Sequence, residues 1–479
     1  MPIAQRNRRR TKADAASLTT RQPQEKNAQR LRATYPTVSV PLEAPWQFDD
    51  VYAELCKLYA EKNNPIQVNF RELVPVPPGM DRATHLIHPY PAKLLVNIPI
   101  FFANCRQLSG PDSLILDPFC GTGTVLLEAM LAGKRAVGAD ANPLARLISE
   151  AKLYPLAQVK LRRTLRSIVE RSKKAPSTSF SPVVDVDRWF PKKTANALGK
   201  LLTSINRLRD IPTRNFFLVS FSSCVKRASF ADPRLSVPVR LKSKDLPEAL
   251  SASAVRTLFA RIAAANIDRM ENLNELLPTS YASATIIDDA RSLKLSDDDL
   301  ADLVITSPPY TSAQKYVRAS SLSLGWLGLA PGNELRVLER LNIGREHFPK
   351  DEYKEKPIAT VAIAQSAIDR IWSINRLRAY IASTYLGEMR RALTSAVSAL
   401  KQGGHFVLIV GDNTVCGERF ATGRFLSEIL QQLGLSKRLE LVDDIRSRGL
   451  MTKRNKTAGV ITQEHIYVFK KQVQNEDQG

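Results

Sequence analysis

The hydrophobic pattern of the chain becomes regular near residue 113, where short apolar segments begin to alternate with helical ones. Residues 113–117 are apolar and end in an aspartate, and residues 124–132 repeat apolar side chains at helical spacing before Gly133. A second short segment, residues 135–140, follows directly. Strand, tight turn, helix and strand in this order predict a unit of a parallel sheet.

Five further segments have the composition of buried strands. They are rich in β-branched and other apolar residues, and they comprise 284–288, 301–306, 405–412, 439–445 and 464–471. With the first two segments they predict an α/β fold with a seven-stranded, mostly parallel sheet. Two excursions, at 156–280 and 311–400, are far longer than a crossover helix needs, so we expect large helical inserts.

The second excursion carries a long apolar stripe at helical spacing. The stripe comprises Ile374, Leu377, Ile381, Tyr385, Met389, Leu393, Val397 and Leu400. Spacings of three and four place these side chains on one face of a helix. They predict core packing rather than a binding groove.

These patterns divide the chain into six parts. Residues 1–36 form a polar, basic arm without apolar periodicity, which is typical of a disordered segment. The remaining five parts are a helical lead-in with the first part of the core (37–155), an inserted subdomain (156–280), the continued core (281–310), the helical excursion (311–400), and the closing strands with a C-terminal tail (401–479).

Composition and charge narrow the class of function. A hydrophobic fraction of 44% and a charged fraction of 24% are typical of a soluble globular protein. No apolar run is long enough for a membrane span, and the polar N-terminus lacks the apolar core of a secretory signal. The net charge of +22 favours a polyanionic partner such as nucleic acid. Five scattered cysteines and five scattered histidines predict no disulfide framework and no metal site, and they fit a cytoplasmic protein.

The first chemical motif is DPFCGTGT, at the turn after the first strand. Gly121 and Gly123 let the backbone approach a ligand closely, and the helix that follows presents free amide donors at its N-terminus. Asp140 ends the next strand, where a carboxylate meets ribose hydroxyls in doubly wound folds. The motif therefore predicts a nucleotide-containing cofactor.

Two kinds of cofactor compete for this motif. A dinucleotide site requires a third glycine, and Leu126 stands in its place. Asp117, which opens the motif, would repel a pyrophosphate but suits a cation. S-adenosylmethionine carries an ammonium and a sulfonium and therefore fits this pattern better.

The second chemical motif ends the apolar strand 301–306 with Ser307, Pro308, Pro309 and Tyr310. Two prolines fix the backbone and leave carbonyl acceptors free. With a serine hydroxyl and an aromatic ring, the loop suits a planar group that bears an NH2. Acceptors for its hydrogens would direct the nitrogen lone pair toward a methyl donor, while the ring stacks on a base swung out of the duplex. The alternative is a rigid turn whose tyrosine caps the core.

The two motifs together resemble the amino-methyltransferases of prokaryotic DNA, and the TSPPY form looks like their cytosine-N4 group. Further similar segments are HPYPAKL (88–94), YVRASSLSLGWLG (316–328), KQGGHFVLIVGDN (401–413) and EHIYVFKK (464–471). The resemblance implies a Rossmann-like S-adenosylmethionine methyltransferase fold. It also implies methyl transfer to the exocyclic amino group of a base flipped out of double-stranded DNA. A cognate restriction nuclease or a defence-system protein would be a further partner.

The resemblance also implies roles for single residues. Those implied to line the cofactor are Lys93, Asp117, Pro118, Phe119, Gly121, Thr122, Gly123, Asp140, Asn142, Asp288 and Asp289. Among them, Asp140 would bind the ribose hydroxyls, and Asp289 or Asp288 would approach the adenine amino group. Ser307, Pro308, Pro309 and Tyr310 would hold the target amine.

The segment that reads DNA sequence is left open. Residues 156–280 are favoured by their length and their mixture of basic and aromatic residues, ahead of 311–370. The basic loop at 446–456 is a third candidate. The glycine motif precedes the catalytic motif here, whereas many family members have the opposite order.

Several other functions compete with this interpretation. Cytosine-C5 methylation needs a nucleophilic cysteine, usually after a proline, and none of the five cysteines follows one. An adenine-N6 DNA methyltransferase and an RNA base methyltransferase are the enzyme alternatives, although both more often carry Asp or Asn before the prolines. The remaining alternative is a nucleic-acid-binding protein on an inactive methyltransferase fold.

Overall fold

A computed structural model describes residues 48–76, 82–91, 93–177, 185–282, 284–311, 316–330, 335–445 and 461–473. The predicted N-terminal arm and the basic loop at 446–456 lie outside these residues. No helix in the described ranges is long and apolar enough to cross a membrane.

The strands in these ranges are β1 Ile66–Val68, β2 Leu114–Asp117, β3 Arg135–Ala139, β4 Ala284–Ile287, β5 Ala301–Thr306, β6 Leu400–Val410, β7 Asn413–Val415, β8 Glu418–Phe420, β9 Leu435–Asp444 and β10 Gln463–Lys471. The helices are α1 Phe48–Lys62, α2 Phe70–Leu73, α3 Asn97–Asn104, α4 Thr124–Leu131, α5 Pro143–Leu153, α6 Gln158–Lys174, α7 Val186–Trp189, α8 Lys192–Asn206, α9 Ile211–Arg227, α10 Ala252–Leu276, α11 Tyr316–Leu327, α12 Leu335–Leu341, α13 Gln365–Ile374, α14 Arg376–Ser398 and α15 Thr422–Gln432. Short 3-10 helices span Ser243–Asp245, Ala290–Ser292, Asp297–Asp299, Lys350–Tyr353 and Ala362–Ala364.

The main sheet has the strand order β1-β9-β10-β6-β5-β2-β3-β4. All its neighbouring strands are parallel except β10, which runs antiparallel to both β6 and β9. From the central β2 the chain builds outward through β3 and β4, then returns to β5 on the other side of β2. The junction of β2 and β5 is therefore the switch point of the sheet, where open α/β folds form a crevice at the carboxyl ends of the strands.

The α/β fold with a mostly parallel sheet is confirmed, but the predicted number of seven strands was wrong. The described part of the sheet has eight, because Ile66–Val68 pairs in parallel with β9. Three residues are too few to give a recognisable alternation, so the pattern could not indicate this edge strand. The hairpin of β7 and β8 was missed for the same reason.

Both faces of the sheet are covered by helices. Leu303 and Ile305 of β5 face the side packed by α1 to α12, whereas Val304 between them faces α13 to α15. Strands buried on both faces are apolar throughout, which explains their continuous hydrophobic runs in the sequence.

The long apolar stripe forms a helix that packs in the core, with one correction at its start. Helix α14 begins at Arg376 because the side chain of Asn375 accepts a hydrogen bond from the backbone N–H of Arg378 at 3.0 Å. Ile374 instead ends the preceding helix, and its side chain is 58% exposed. Tyr385 and Met389 are fully buried, as expected for core positions.

Several aromatic residues of the 156–280 insert belong to its core, whereas Trp189 and Phe230 are half-buried. Phe216, Phe217 and Phe221 of α9 are fully buried, and the rings of Phe221 and Trp326 lie 5.8 Å apart. Phe190 is buried against the same tryptophan at 5.4 Å. Part of the aromatic content that favoured this insert as the DNA-reading part therefore reflects packing between helices.

Gly138 on β3 provides a test of the packing beneath the first turn. A Cβ at this position would lie 2.6 Å from Cδ1 of Leu126 and 2.8 Å from Cβ of Cys120. We expect Gly138→Ala to lower the free energy of unfolding by about 1–3 kcal/mol through overpacking. Gly387→Ala is the control, since its Cβ would meet Thr360 Oγ1 at 3.5 Å and a helical alanine adds about 0.5–1 kcal/mol. Denaturant unfolding measures both, and equal stability of the two variants would contradict the prediction.

Candidate active site

The two chemical motifs meet at the switch point of the sheet. Asp117 ends β2 and Thr306 ends β5, and both side chains are buried. The hydroxyl of Thr306 donates a hydrogen bond to Oδ1 of Asp117 at 2.7 Å. The two loops therefore lie at the same edge of one sheet.

The glycine loop is held by the end of the neighbouring strand. The backbone N–H of Gly121 donates to Oδ2 of Asp140 at 3.1 Å, and the hydroxyl of Ser149 donates to the Gly121 carbonyl at 3.0 Å. Gly123 has a φ of 72° and precedes α4, a conformation that favours glycine. A Cβ on Gly121 would meet no atom within 4 Å, so the loop leaves open space beside its backbone.

Two contiguous pockets form one cleft between the two loops. Both are lined by Tyr90, Phe119, Gly121, Ser307 and Tyr316. One end adds Pro118, Asp140, Ala141, Asn142, Asp289, Ala290, Pro309, Leu341, Asn342 and Ile343. The other end adds Lys93, Leu94, Asp117, Cys120, Thr122, Thr124, Val125, Pro308, Tyr310 and Glu464. We call this cleft the central cleft.

Nearly all the predicted site residues therefore surround one space. Asp288 is the clear exception, because its side chain is 85% exposed and lies 3.4 Å from Arg146 outside the cleft lining. Asp289 lines the cleft and is paired with Arg291 at 2.7 Å, which holds the pKa of this carboxyl below its usual range despite partial burial. Of the two aspartates, only Asp289 is placed where it could meet a ligand. Gly123 is also absent from the lining, because it turns the chain into α4.

The segment before the glycine motif is fastened over the central cleft. The ammonium of Lys93 donates to the carbonyls of His85 and His88 at 2.8 and 3.0 Å. His85 Nε2 lies 2.6 Å from Oε1 of Glu128 in α4, which ties the segment to the helix after the glycine loop. Tyr90 reaches the other side of the cleft, where its hydroxyl accepts a hydrogen bond from the amide of Asn142 at 3.0 Å.

The carboxylates of the central cleft favour a cationic ligand. Burial raises the pKa of Asp117 to about 7, although the hydrogen bond from Thr306 opposes this shift. Burial likewise raises the pKa of Asp140 to about 6 and that of Glu464 to about 7. Acids held in this way lack a full compensating positive charge, and a cation in the cleft would supply it. The ammonium and sulfonium of S-adenosylmethionine meet this requirement, and Asp140 can accept from ribose hydroxyls as well.

Sequence reasoning missed Glu464, because a strand pattern does not show which end reaches the site. Since β10 is antiparallel to its neighbours, its first residues lie at the edge where the other strands end. Oε1 of Glu464 lies 3.5 Å from the hydroxyl of Tyr310. Asn342 was also missed, since it follows α12 and no motif surrounds it.

The described residues contain no candidate metal site. Within these ranges, no three His, Cys, Asp or Glu side chains are grouped closely enough to hold a metal ion.

Comparisons with known proteins find similarity to methyltransferases. A family model described as an RMKL-like methyltransferase domain matches residues 104–172, which hold the glycine loop and Asp140. The type II methyltransferase M.MvaI of Kocuria varians is 23% identical over 399 residues, covering 78% of this chain and 87% of that protein. The type II methyltransferase M.BsoBI of Geobacillus stearothermophilus is 25% identical over 239 residues, covering 45% and 47%.

Among solved structures, the rRNA methyltransferase aviRa of Streptomyces viridochromogenes aligns over 84% of this chain and 96% of its own, at 12% identity and a TM-score of 0.32. The sequence relatives and the geometry of the central cleft agree on the cofactor, which is S-adenosylmethionine. The chain is thus an S-adenosylmethionine-dependent methyltransferase, similar in sequence to the type II methyltransferases M.MvaI and M.BsoBI.

Proposed function

We propose that this enzyme methylates the exocyclic amino group of a base in double-stranded DNA, with N4 of cytosine as the target. One observation carries the proposal: the Ser-Pro-Pro-Tyr loop and the glycine loop line the same cleft, joined by the Thr306–Asp117 hydrogen bond. A cofactor on the glycine loop and an amine on the other loop would then face each other across a short gap.

The residues of the second loop would hold and orient the amine. The hydroxyl of Ser307 and the fixed carbonyls around the two prolines accept its hydrogens and turn the nitrogen lone pair toward the cofactor. S-adenosylmethionine supplies an electrophilic methyl group when bound. Tyr310 offers a ring for stacking, and its loop is anchored because the amide of Asn413 donates to the carbonyl of Thr311 at 2.7 Å.

Glu464 lies where a proton can be taken up. An amine that gains a methyl group becomes positively charged and must lose a proton to regain neutrality. The Glu464 carboxylate lines the cleft beside Ser307 and Tyr310, and a pKa near 7 lets it accept a proton at neutral pH. We assign it this role.

Three observations support DNA as the polymer. The relatives M.MvaI and M.BsoBI are type II methyltransferases, the chain carries a net charge of +22, and the TSPPY form resembles the cytosine-N4 group of DNA methyltransferases. The enzyme would act on the DNA of a prokaryotic cell, with a cognate nuclease or a defence-system protein as a further proposed partner.

Incubation with radiolabelled cofactor and separate samples of duplex DNA, tRNA and rRNA tests the polymer. We expect label in duplex DNA, and nucleoside analysis of that product should yield N4-methylcytosine. N6-methyladenine would replace the base assignment, and label confined to RNA would replace the polymer. No transfer to any of these samples, with cofactor binding intact, would favour the inactive-fold alternative.

Removal of the Ser307 hydroxyl tests the amine receptor. We expect Ser307→Ala to lower kcat at least about tenfold, because the reacting nitrogen then has one acceptor fewer for its hydrogens. Calorimetry should show nearly unchanged cofactor affinity, since the glycine loop is untouched. Normal turnover would show that the hydroxyl has no part in catalysis.

A side chain on Gly121 tests the cofactor loop. Gly121→Val would place its branched side chain in the open space of the cleft, and we expect cofactor binding measured by calorimetry to be abolished. Gly417→Val is the matched control, because Gly417 also has a positive φ of 87° and no atom within 4 Å of its Cβ but lies in the exposed β7–β8 turn. Comparable weakening of binding in both variants would mean that backbone strain, rather than occupation of the cleft, is responsible.

The raised pKa of Asp117 predicts pH-dependent cofactor binding. The carboxyl must ionise to pair with a cation, so affinity should strengthen as the pH rises through about 7. Each pKa unit corresponds to a factor of ten, and we expect at least about tenfold tighter binding at pH 8 than at pH 5.5. Asp117→Asn keeps an acceptor for Thr306 and should flatten this dependence in calorimetric titrations. An unchanged pH profile in the variant would assign the dependence to another group.

A further inference from the structure

A second cleft of about 700 Å³ opens beside the central cleft. It lies between the start of α11, helix α12 and the segment from 342 to 352. Tyr316 and Asn342 line both clefts, so the two spaces are contiguous. A polymer seated in the second cleft would pass directly beside the loop that receives the amine. We call it the arginine cleft.

Three exposed arginines of this cleft have no carboxylate partner among the described residues. Arg318, Arg336 and Arg340 all line the cleft, and within the described ranges none of them makes an ion pair. Arg336 and Arg340 are four residues apart on α12, so their side chains lie on one face of the helix. Exposed guanidinium groups of this kind are suited to bidentate contacts with phosphate oxygens.

Three glutamates line the arginine cleft together with four arginines, and two of these glutamates have partners outside the lining. Glu346 lies 3.4 Å from Arg378, and Glu352 accepts a hydrogen bond from the Tyr380 hydroxyl at 3.2 Å. Arg378 and Tyr380 do not line the cleft, so Glu346 and Glu352 are each bound to a residue outside the lining. Glu339 is the third acid of the lining. The four arginines of the lining therefore outnumber the carboxylates that are not already paired outside it.

The floor of the arginine cleft is ordered before any ligand arrives. The guanidinium of Arg345 lies 4.3 Å from the ring centroid of Phe348, and its Nη1 donates to the carbonyl of Arg340 at 3.0 Å. These contacts fix the end of α12 against the segment that follows. A prearranged surface loses less side-chain entropy when it binds.

The insert at 156–280 is less suited to this role. Two of the basic residues on α6 are paired within the insert, Lys160 with Asp210 at 2.8 Å and Arg162 with Asp268 at 2.7 Å. Phe216, Phe217 and Phe221 are buried between helices. Part of the positive charge of α6 is therefore already neutralised within the insert.

We propose that the arginine cleft binds the phosphate backbone of the DNA duplex beside the flipped base. This inference rests on the proposed function and adds to it the surface that holds the polymer. Arg336 and Arg340 would contact consecutive phosphates, and Arg318 would lie nearest the central cleft through its neighbour Tyr316. The contacts would set the position of the duplex without reading its sequence.

A pair of double variants tests the arginine cleft. Arg336→Gln/Arg340→Gln removes two charges from α12, and Arg163→Gln/Arg166→Gln removes two exposed charges from α6. Glutamine and arginine have similar helix propensity, so both helices should persist. Fluorescence anisotropy with a labelled mixed-sequence duplex, between about 50 and 200 mM salt, gives the affinity and its salt dependence.

We expect the α12 variant to bind the duplex roughly tenfold more weakly. Its salt slope should be smaller by about 2, because each arginine that is replaced leaves one phosphate without a cationic partner. Its KM for host genomic DNA should rise while its cofactor affinity by calorimetry stays unchanged. The α6 variant should resemble the wild type in every measurement.

Failure of this inference is distinguishable from failure of the proposed function. If the wild type methylates duplex DNA and the α12 variant binds it equally well, the arginine cleft is not the contact surface. Weaker binding confined to the α6 variant would assign that surface to the 156–280 insert. If the wild type neither binds nor methylates duplex DNA but labels RNA, both the proposed function and the DNA occupant of this cleft are wrong.

Discussion

The hydrogen bond from Thr306 to Asp117 joins the two strand ends that lead into the chemical motifs of this enzyme. Both groups are buried at the ends of adjacent strands, so neither can move far without breaking the sheet edge. A buried carboxylate is costly unless it is hydrogen-bonded, and here Thr306 and the backbone N–H of Phe119 provide two such bonds. Burial nevertheless raises the pKa of Asp117 to about 7, because the two hydrogen bonds offset its effect only in part. A cation bound in the cleft would stabilise the ionised form of Asp117. The energetic cost of burying this carboxylate would then be offset when the cofactor binds.

The central cleft and the arginine cleft differ in the charge of the side chains that line them. Acidic side chains, among them Asp117, Asp140 and Glu464, line the central cleft, whereas exposed arginines line the neighbouring arginine cleft. A cationic cofactor and a polyanionic substrate would otherwise compete for the same charges. Acids in the central cleft and arginines in the arginine cleft give each ligand its own complementary surface. The proposed DNA substrate would lie in the arginine cleft and insert its flipped base into the central cleft.

The antiparallel strand β10 contributes to the site through its direction alone. Parallel neighbours end at the active edge, but β10 begins there, so Glu464 reaches the cleft from a strand whose sequence otherwise indicates only core packing. Lys93 lines the same space, and its ammonium is held there by hydrogen bonds to the carbonyls of His85 and His88. Groups distant in the chain thus surround one cavity because the order and direction of the strands bring them together.

The sequence by itself determined the fold class, the seven longer strands of the sheet and both chemical motifs, since each depends on local periodicity or on residue types at fixed spacing. It could not reveal the three-residue strand β1, nor choose between Asp288 and Asp289, which differ only in the direction of their side chains. It also could not show that Phe216, Phe217 and Phe221 of the 156–280 insert are buried, because a phenylalanine in a core and one on a binding surface have the same pattern until burial is known. Only the tertiary structure decided that Glu464 meets Tyr310 and that Arg318, Arg336 and Arg340 border the site. Such meetings depend on strand direction and packing between distant segments, and local sequence carries no record of either.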